Sequence, residues 1–95
     1  MASDINADKV QQGSKIFAQS CVMCHTDGRN VIAKQRDLSK KAIDEYIGLD
    51  VKSIKKFIQD SNVHRRALAF SAKLTDTDYE NVAAFVYNQA MDSKW

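Results

Sequence analysis

Cys21-Val22-Met23-Cys24-His25 is the stretch on which the reading of this 95-residue chain turns. Two thiols one helical turn apart, followed at once by an imidazole, form the C-x-x-C-H pattern of covalent haem attachment. The spacing has a physical reason. On a helix both sulfurs reach the same edge of one macrocycle and each can form a thioether to a vinyl group, while the next residue turns its ring up to the iron. Imidazole nitrogen ligates haem iron well, and its second nitrogen then needs an acceptor, usually a backbone carbonyl, to fix the ring. Cys21 and Cys24 are therefore expected to carry one covalently bound haem c, with His25 as the proximal iron ligand. Three other readings stand beside this one. A thioredoxin-like redox pair needs a parallel sheet and a C-x-x-C at a helix start. A zinc ion shared by Cys21, Cys24, His25 and His64 needs the adjacent Cys24 and His25 to serve one tetrahedron. A purely structural reading buries the two thiols beside a coincidental histidine.

Outward from the motif, the chain reads as helices. From Asn6 to about Ser20, Val10, Gly13 and Phe17 fall at i, i+3 and i+7 of one face, with Asp4 or Asn6 as cap, and Gly13 lets another helix approach closely. Thr26 to Asp37 is polar and aperiodic, hence a loop. Ser39 caps a short helix carrying Ala42, Ile43 and Tyr46 that ends near Gly48. Asp50 caps the next, where Val51, Ile54, Phe57 and Ile58 form an apolar stripe and Lys52, Lys55 and Lys56 take the wet side. A second loop is expected from about Asp60 to Leu74. Thr75, with Asp78 three residues on, resembles a capping box opening the last helix, whose face is Val82, Phe85, Val86 and Gln89, with Ala83 and Ala84 keeping it slim. Apolar and polar residues never alternate for long, so no strand competes. The expected fold is all-α: about four helices with long loops around one haem, as a single domain over residues 1–95 with no repeat or linker.

The bulk composition excludes several classes. Hydrophobic residues at 44% and charged residues at 27% give a globular balance rather than a disordered one. A net charge of +2 is too weak to argue for nucleic acid. No apolar run approaches the roughly 18 residues of a membrane span. Two cysteines are too few for the disulfide framework of a small secreted fold. No basic start leads into an apolar stretch, so an exported protein of this sequence is expected to have lost its signal. A chain this short builds a thin core, and a flat apolar macrocycle would thicken it. A monomer is expected.

Beyond the motif, the sequence resembles class I cytochromes c, most closely the photosynthetic cytochrome c6 group. The likeness is carried by Gly13 to His25, by Gly28-Arg29-Asn30-Val31-Ile32, by Ala42-Ile43-Asp44-Glu45-Tyr46 and by Glu80-Asn81-Val82-Ala83-Ala84-Phe85-Val86. The resemblance implies that the first and last helices cross where Gly13 and Phe17 meet Phe85, with Tyr87 as a further candidate. It implies one-electron transfer, rather than enzymatic turnover, in the thylakoid lumen or a bacterial periplasm, from a cytochrome b6f complex to photosystem I or a terminal oxidase. Two strong axial ligands and covalent attachment suit that task because little geometry reorganises with the electron.

The sequence departs from the family pattern on the distal side. The family's sixth ligand is a methionine followed by proline, and alignment on Ala69-Phe70 and Leu74 places that pair at Ala67 and Leu68; an earlier Met-Pro pair falls on Ala33 and Lys34. No other methionine replaces it, for Met23 lies inside the attachment motif, Met91 near the end of the last helix and Met1 at the start. His64, three residues before Ala67, is the leading substitute; a water-bound or open site and an amine such as Lys73 are the others. Two histidines would lower the potential relative to His/Met. An open iron would instead bind carbon monoxide, nitric oxide or oxygen, or react weakly with peroxide, and so define a small-ligand haem domain. A third reading is a polypeptide never joined to haem. Arg65 and Arg66 beside the distal segment, with Lys34 and Arg36 in the loop facing it, would steer docking to acidic surfaces of redox partner proteins, or form an ordinary solvated surface.

Overall fold

The computed structural model describes residues 7–69 and 74–95. It contains six α-helices: α1 (Ala7–Ser20), α2 (Val22–His25), α3 (Lys40–Tyr46), α4 (Val51–Asp60), α5 (Asn62–Ala69) and α6 (Asp76–Asp92), with two short 3-10 turns at Thr26–Gly28 and Lys34–Arg36. Among the described residues there is no strand. The all-α expectation therefore stands with more helices than the expected four. The proposed caps Asp4 and Asn6 lie outside the described residues.

Gly13 explains how the molecule closes. A Cβ there would fall on the backbone carbonyl of Asn81 and 2.9 Å from Phe85 Cβ, so only glycine lets α1 cross α6 this closely. Phe17, one turn further on α1, packs its ring 5.3 Å from that of Phe85, and Tyr87 packs against the same core. A Lys9–Glu80 ion pair spans the same two helices. The buried core consists of Phe17, Ile43, Ile54, Val82, Ala83, Val86 and Ala90, which joins α1, α3, α4 and α6. On α6 the small residues do more than keep a face slim. Ala83 is fully buried, while Gln89 lies only half-buried.

Local chemistry sets the helix starts. Ser39 accepts from the Ala42 N–H at 3.2 Å and opens α3; Asp50 accepts from the Ser53 N–H at 2.7 Å and opens α4. At Gly48, φ is +127°, a conformation that ends α3 without strain only because the residue is glycine. Thr75 and Asp78 form the expected capping box, each side chain accepting from the other's backbone N–H at 3.1 and 2.9 Å.

Two expectations need correction. The presumed loop from Asp60 to Leu74 contains α5, opened by a hydrogen bond from the Arg65 N–H to the Ser61 carbonyl. Its sequence, Asn62-Val63-His64-Arg65-Arg66-Ala67-Leu68-Ala69, is too short for a period to stand out but holds good helix formers and no breaker. Lys55 does not lie on the wet side of α4: it reaches across to Asp76 at the start of α6 at 2.9 Å, and Gln59 donates to the same carboxylate at 3.1 Å.

Candidate functional site

The end of α1 builds the site. Cys21 still donates its N–H to the Phe17 carbonyl at 2.9 Å, but its backbone then breaks from the helix, and Val22 to His25 form a separate turn tied by the Cys24 and His25 N–H groups to the Cys21 carbonyl. Both cysteines are free and half-buried, one turn apart. Burial, and secondarily the neighbouring Cys24, push the Cys21 thiol up to about 11. A thioredoxin-like pair needs the opposite shift, because the thiolate is its nucleophile. That reading also needs a sheet, which the described residues do not supply.

His25 is held by a turn that the sequence did not reveal. Asp27 and Gly28 adopt left-handed conformations, φ 55° and 78°, and so swing the chain back over the motif. The Arg29 carbonyl then lies 2.8 Å from His25 Nδ1. A carbonyl can only accept, so Nδ1 carries the proton and Nε2 keeps its lone pair. The expected backbone acceptor is thus present. Its sequence signal was the Asp27-Gly28 pair, a frequent carrier of positive φ. The Val31 N–H donating to the Cys24 carbonyl at 3.0 Å, and Thr26 Oγ1 donating to the Val22 carbonyl at 2.7 Å, fasten the same segment.

His64 comes to this site from far along the chain. Its ring centroid lies 6.2 Å from that of His25 with the planes 22° apart, and Phe57 of α4 meets it edge-on at 5.7 Å. His64 Nδ1 is buried and has no hydrogen-bond partner in the polypeptide. Burial, and then the nearby His25, hold this imidazole below its ordinary range, so it is neutral at physiological pH. Ala67 and Leu68, where the resemblance would place the family methionine and proline, fall in the last turn of α5, beyond the side chains the structure describes; Lys73 lies outside the described residues.

The arrangement does not suit zinc. Among the described residues, no three His, Cys, Asp or Glu side chains converge to hold an ion, so the four-ligand zinc reading fails despite the approach of His25 and His64. It does suit a flat apolar group with a central metal. Two facing imidazoles, one with an oriented Nε2 and one with an orphaned nitrogen, stand beside paired thiols. Exposed apolar side chains, Met23, Val31, Ile32 and Val63, flank these residues along the chain, and surface of that kind invites a covering partner.

An all-helical chain with this turn of two cysteines and a carbonyl-oriented histidine is, in class, a c-type cytochrome. A family model described as "Cytochrome C oxidase, cbb3-type, subunit III" matches residues 8–86. Cytochrome c6 of Cladophora glomerata is 36% identical over 93 residues, covering 96% of this chain and 100% of its own. Cytochrome c6 of Petalonia fascia is 36% identical over 81 residues, covering 85% and 93%. The crystal structure of cytochrome c6 from the diatom Phaeodactylum tricornutum superposes with a TM-score of 0.78 at 34% identity, over 90% of this chain and 98% of that one. The chain belongs to the cytochrome c6 family of class I c-type cytochromes, monohaem electron carriers with one covalently bound haem c.

Proposed function

We propose that this chain carries single electrons on a haem c joined by thioethers to Cys21 and Cys24 and ligated on the proximal side by His25, with methionine absent from the distal side. The observation that supports it best is the 2.8 Å hydrogen bond from His25 Nδ1 to the Arg29 carbonyl, which fixes the ring and, in the neutral imidazole, places the lone pair on Nε2. When bound, the haem supplies the one-electron iron couple. The polypeptide orients the ligand, excludes bulk water by packing Phe17 beside His25 at 6.4 Å, and sets the potential through its axial groups. The protein works as a monomer in the thylakoid lumen or a periplasm, between a b6f-type donor and photosystem I or an oxidase. No helix among the described residues is long and apolar enough to cross a membrane.

Lys34, Arg65 and Arg66 are exposed, and Arg36 is exposed with its guanidinium 4.5 Å over the Tyr46 ring. These cations steer encounter with acidic partner surfaces, so raising ionic strength slows electron transfer to such a partner. Two measurements test the proposal. After maturation in an export-competent host, the intact mass should exceed that of the polypeptide by one haem, and the proteolytic fragment containing residues 21–25 should carry it. A transfer rate indifferent to salt would remove the docking role from the four cations while leaving attachment intact.

A further inference from the structure

We propose that His64 is the second axial ligand of the haem iron, so that the metal is gripped between two imidazoles and closed to outside ligands. This rests on haem attachment at Cys21 and Cys24 and goes beyond it by naming the group on the far side.

Distance is the first observation. Two imidazoles bound on opposite sides of one metal, each through a metal–nitrogen bond of about 2.0 Å, place their ring centroids about 6.3 Å apart. The His25 and His64 centroids are 6.2 Å apart. An ordinary aromatic pair also falls within about 4.5–7 Å, so distance alone does not decide.

The second observation separates the two cases. In a plain aromatic cluster a buried histidine finds hydrogen-bond partners for its ring nitrogens, because an unpaired one costs about 1–3 kcal/mol. His64 Nδ1 has none, although Phe57 fixes the ring edge-on at 5.7 Å. Nδ1 is thus the nitrogen of His64 that the polypeptide leaves without a partner, and the one this assignment gives to the metal. On the other side, His25 has its Nδ1 on the Arg29 carbonyl, which reserves Nε2 for metal.

Location is the third. Because α5 is a helix and not a loop, His64 lies one turn from Ala67, where the resemblance to class I cytochromes c would place the ligating methionine and this chain has only a methyl group. The imidazole lone pair forms the coordinate bond, and neither electrons nor protons need to be supplied from elsewhere.

The test uses the haem-loaded protein. Ferric wild type should be low-spin, with the rhombic electron paramagnetic resonance signal of nearly parallel imidazoles, and the ferrous spectrum should not change under carbon monoxide. The variant His64→Ala should turn high-spin and bind carbon monoxide, and added imidazole should restore the low-spin spectrum. Should that variant fail to fold, His64→Met keeps a ligating side chain and should stay low-spin with a raised potential. A wild-type haem that is high-spin or binds carbon monoxide as readily as His64→Ala overturns the assignment, and so does a His64→Ala protein that stays low-spin without imidazole, or a His64→Met potential equal to that of wild type. A chain whose mass shows no haem overturns the attachment reading, and this one with it.

Discussion

Gly28 ties the site to the rest of the fold through one backbone conformation. With φ at +78°, it turns the chain so that the next carbonyl, that of Arg29, meets His25, while its own carbonyl accepts from the Leu38 N–H at 2.8 Å. A Cβ at Gly28 would enter the Trp95 ring. The Trp95 indole N–H donates to the Leu38 carbonyl at 2.7 Å, and the ring packs 5.2 Å from Phe17 and 5.8 Å from Phe85. Gly28, Leu38 and Trp95 therefore form one knot behind the proximal histidine. Gly28→Ala should destabilise the protein by at least about 1–3 kcal/mol, the usual cost of a left-handed non-glycine residue, before Trp95 has moved. Trp95→Phe keeps a ring but loses the indole bond and should cost about 1 kcal/mol. Urea titration of the haem protein reads both, and a Trp95→Phe midpoint equal to wild type would show that water serves Leu38 as well as the indole does. The motif made Cys21, Cys24 and His25 legible in the sequence because their chemistry is local. Trp95 was not legible: its role depends on Leu38, 57 residues away, and no local pattern records such a partner.

At the scale of elements, the helices that were readable are those whose ends carry their own instructions. Ser39, Asp50 and the Thr75–Asp78 box each bond to a backbone group three residues away, so the sequence contains both partners. Replacing Thr75 by alanine should cost about 1 kcal/mol of stability. Helix α5 escaped because its eight residues are fewer than a periodicity reading needs, and its placement rests on contacts with α4 and His25 that no local pattern records. The residue His64 was a candidate from the start; where it sits depended on a helix that periodicity could not reveal. The segment holding α5 is also closed from outside. Lys55 and then Gln59 donate to Asp76, pinning α4 to the start of α6, and these bonds hold the Asp76 carboxyl below its usual range. A carboxyl with a depressed folded value binds protons less readily folded than unfolded. Its contribution is therefore complete above the ordinary value of about 3.9 and fades as the pH falls through the lower folded one. Asp76→Asn should flatten this acid limb by lowering stability slightly at neutral pH, the carboxylate being exposed, while leaving the acid end unchanged, where the carboxyl is already protonated. Thermal unfolding at a series of pH values from 2 upward would detect it, and an unaltered acid limb would count against the tie.

For the whole molecule, the packing is uneven, and the unevenness follows the site. The core joins α1, α3, α4 and α6, and its centre is the glycine-mediated crossing of the two long helices. Much of that core is small: Ala83, Ala90, Val82 and Val86 bury far less apolar area than leucines or aromatics would. Helix α5 packs chiefly on α4, and its outward residues, Asn62, Val63, Arg65 and Arg66, are exposed. Its His64 ring lies 6.2 Å, centroid to centroid, from that of His25. On the proposed ligation the two halves of the site would depend on a group bound to both, and any such group stabilises the native state in proportion to how much it binds folded over unfolded chain. Replacing both Cys21 and Cys24 by alanine removes covalent attachment and should reveal this order of dependence. Hydrogen exchange on that variant should find the amides of α5 unprotected, and those of α6 near Asn81 to Val86, where Gly13 lets the helices meet, the last to exchange. Protection that falls equally across α5 and α6 would mean that the crossing has no stability of its own and that haem attachment holds every helix alike.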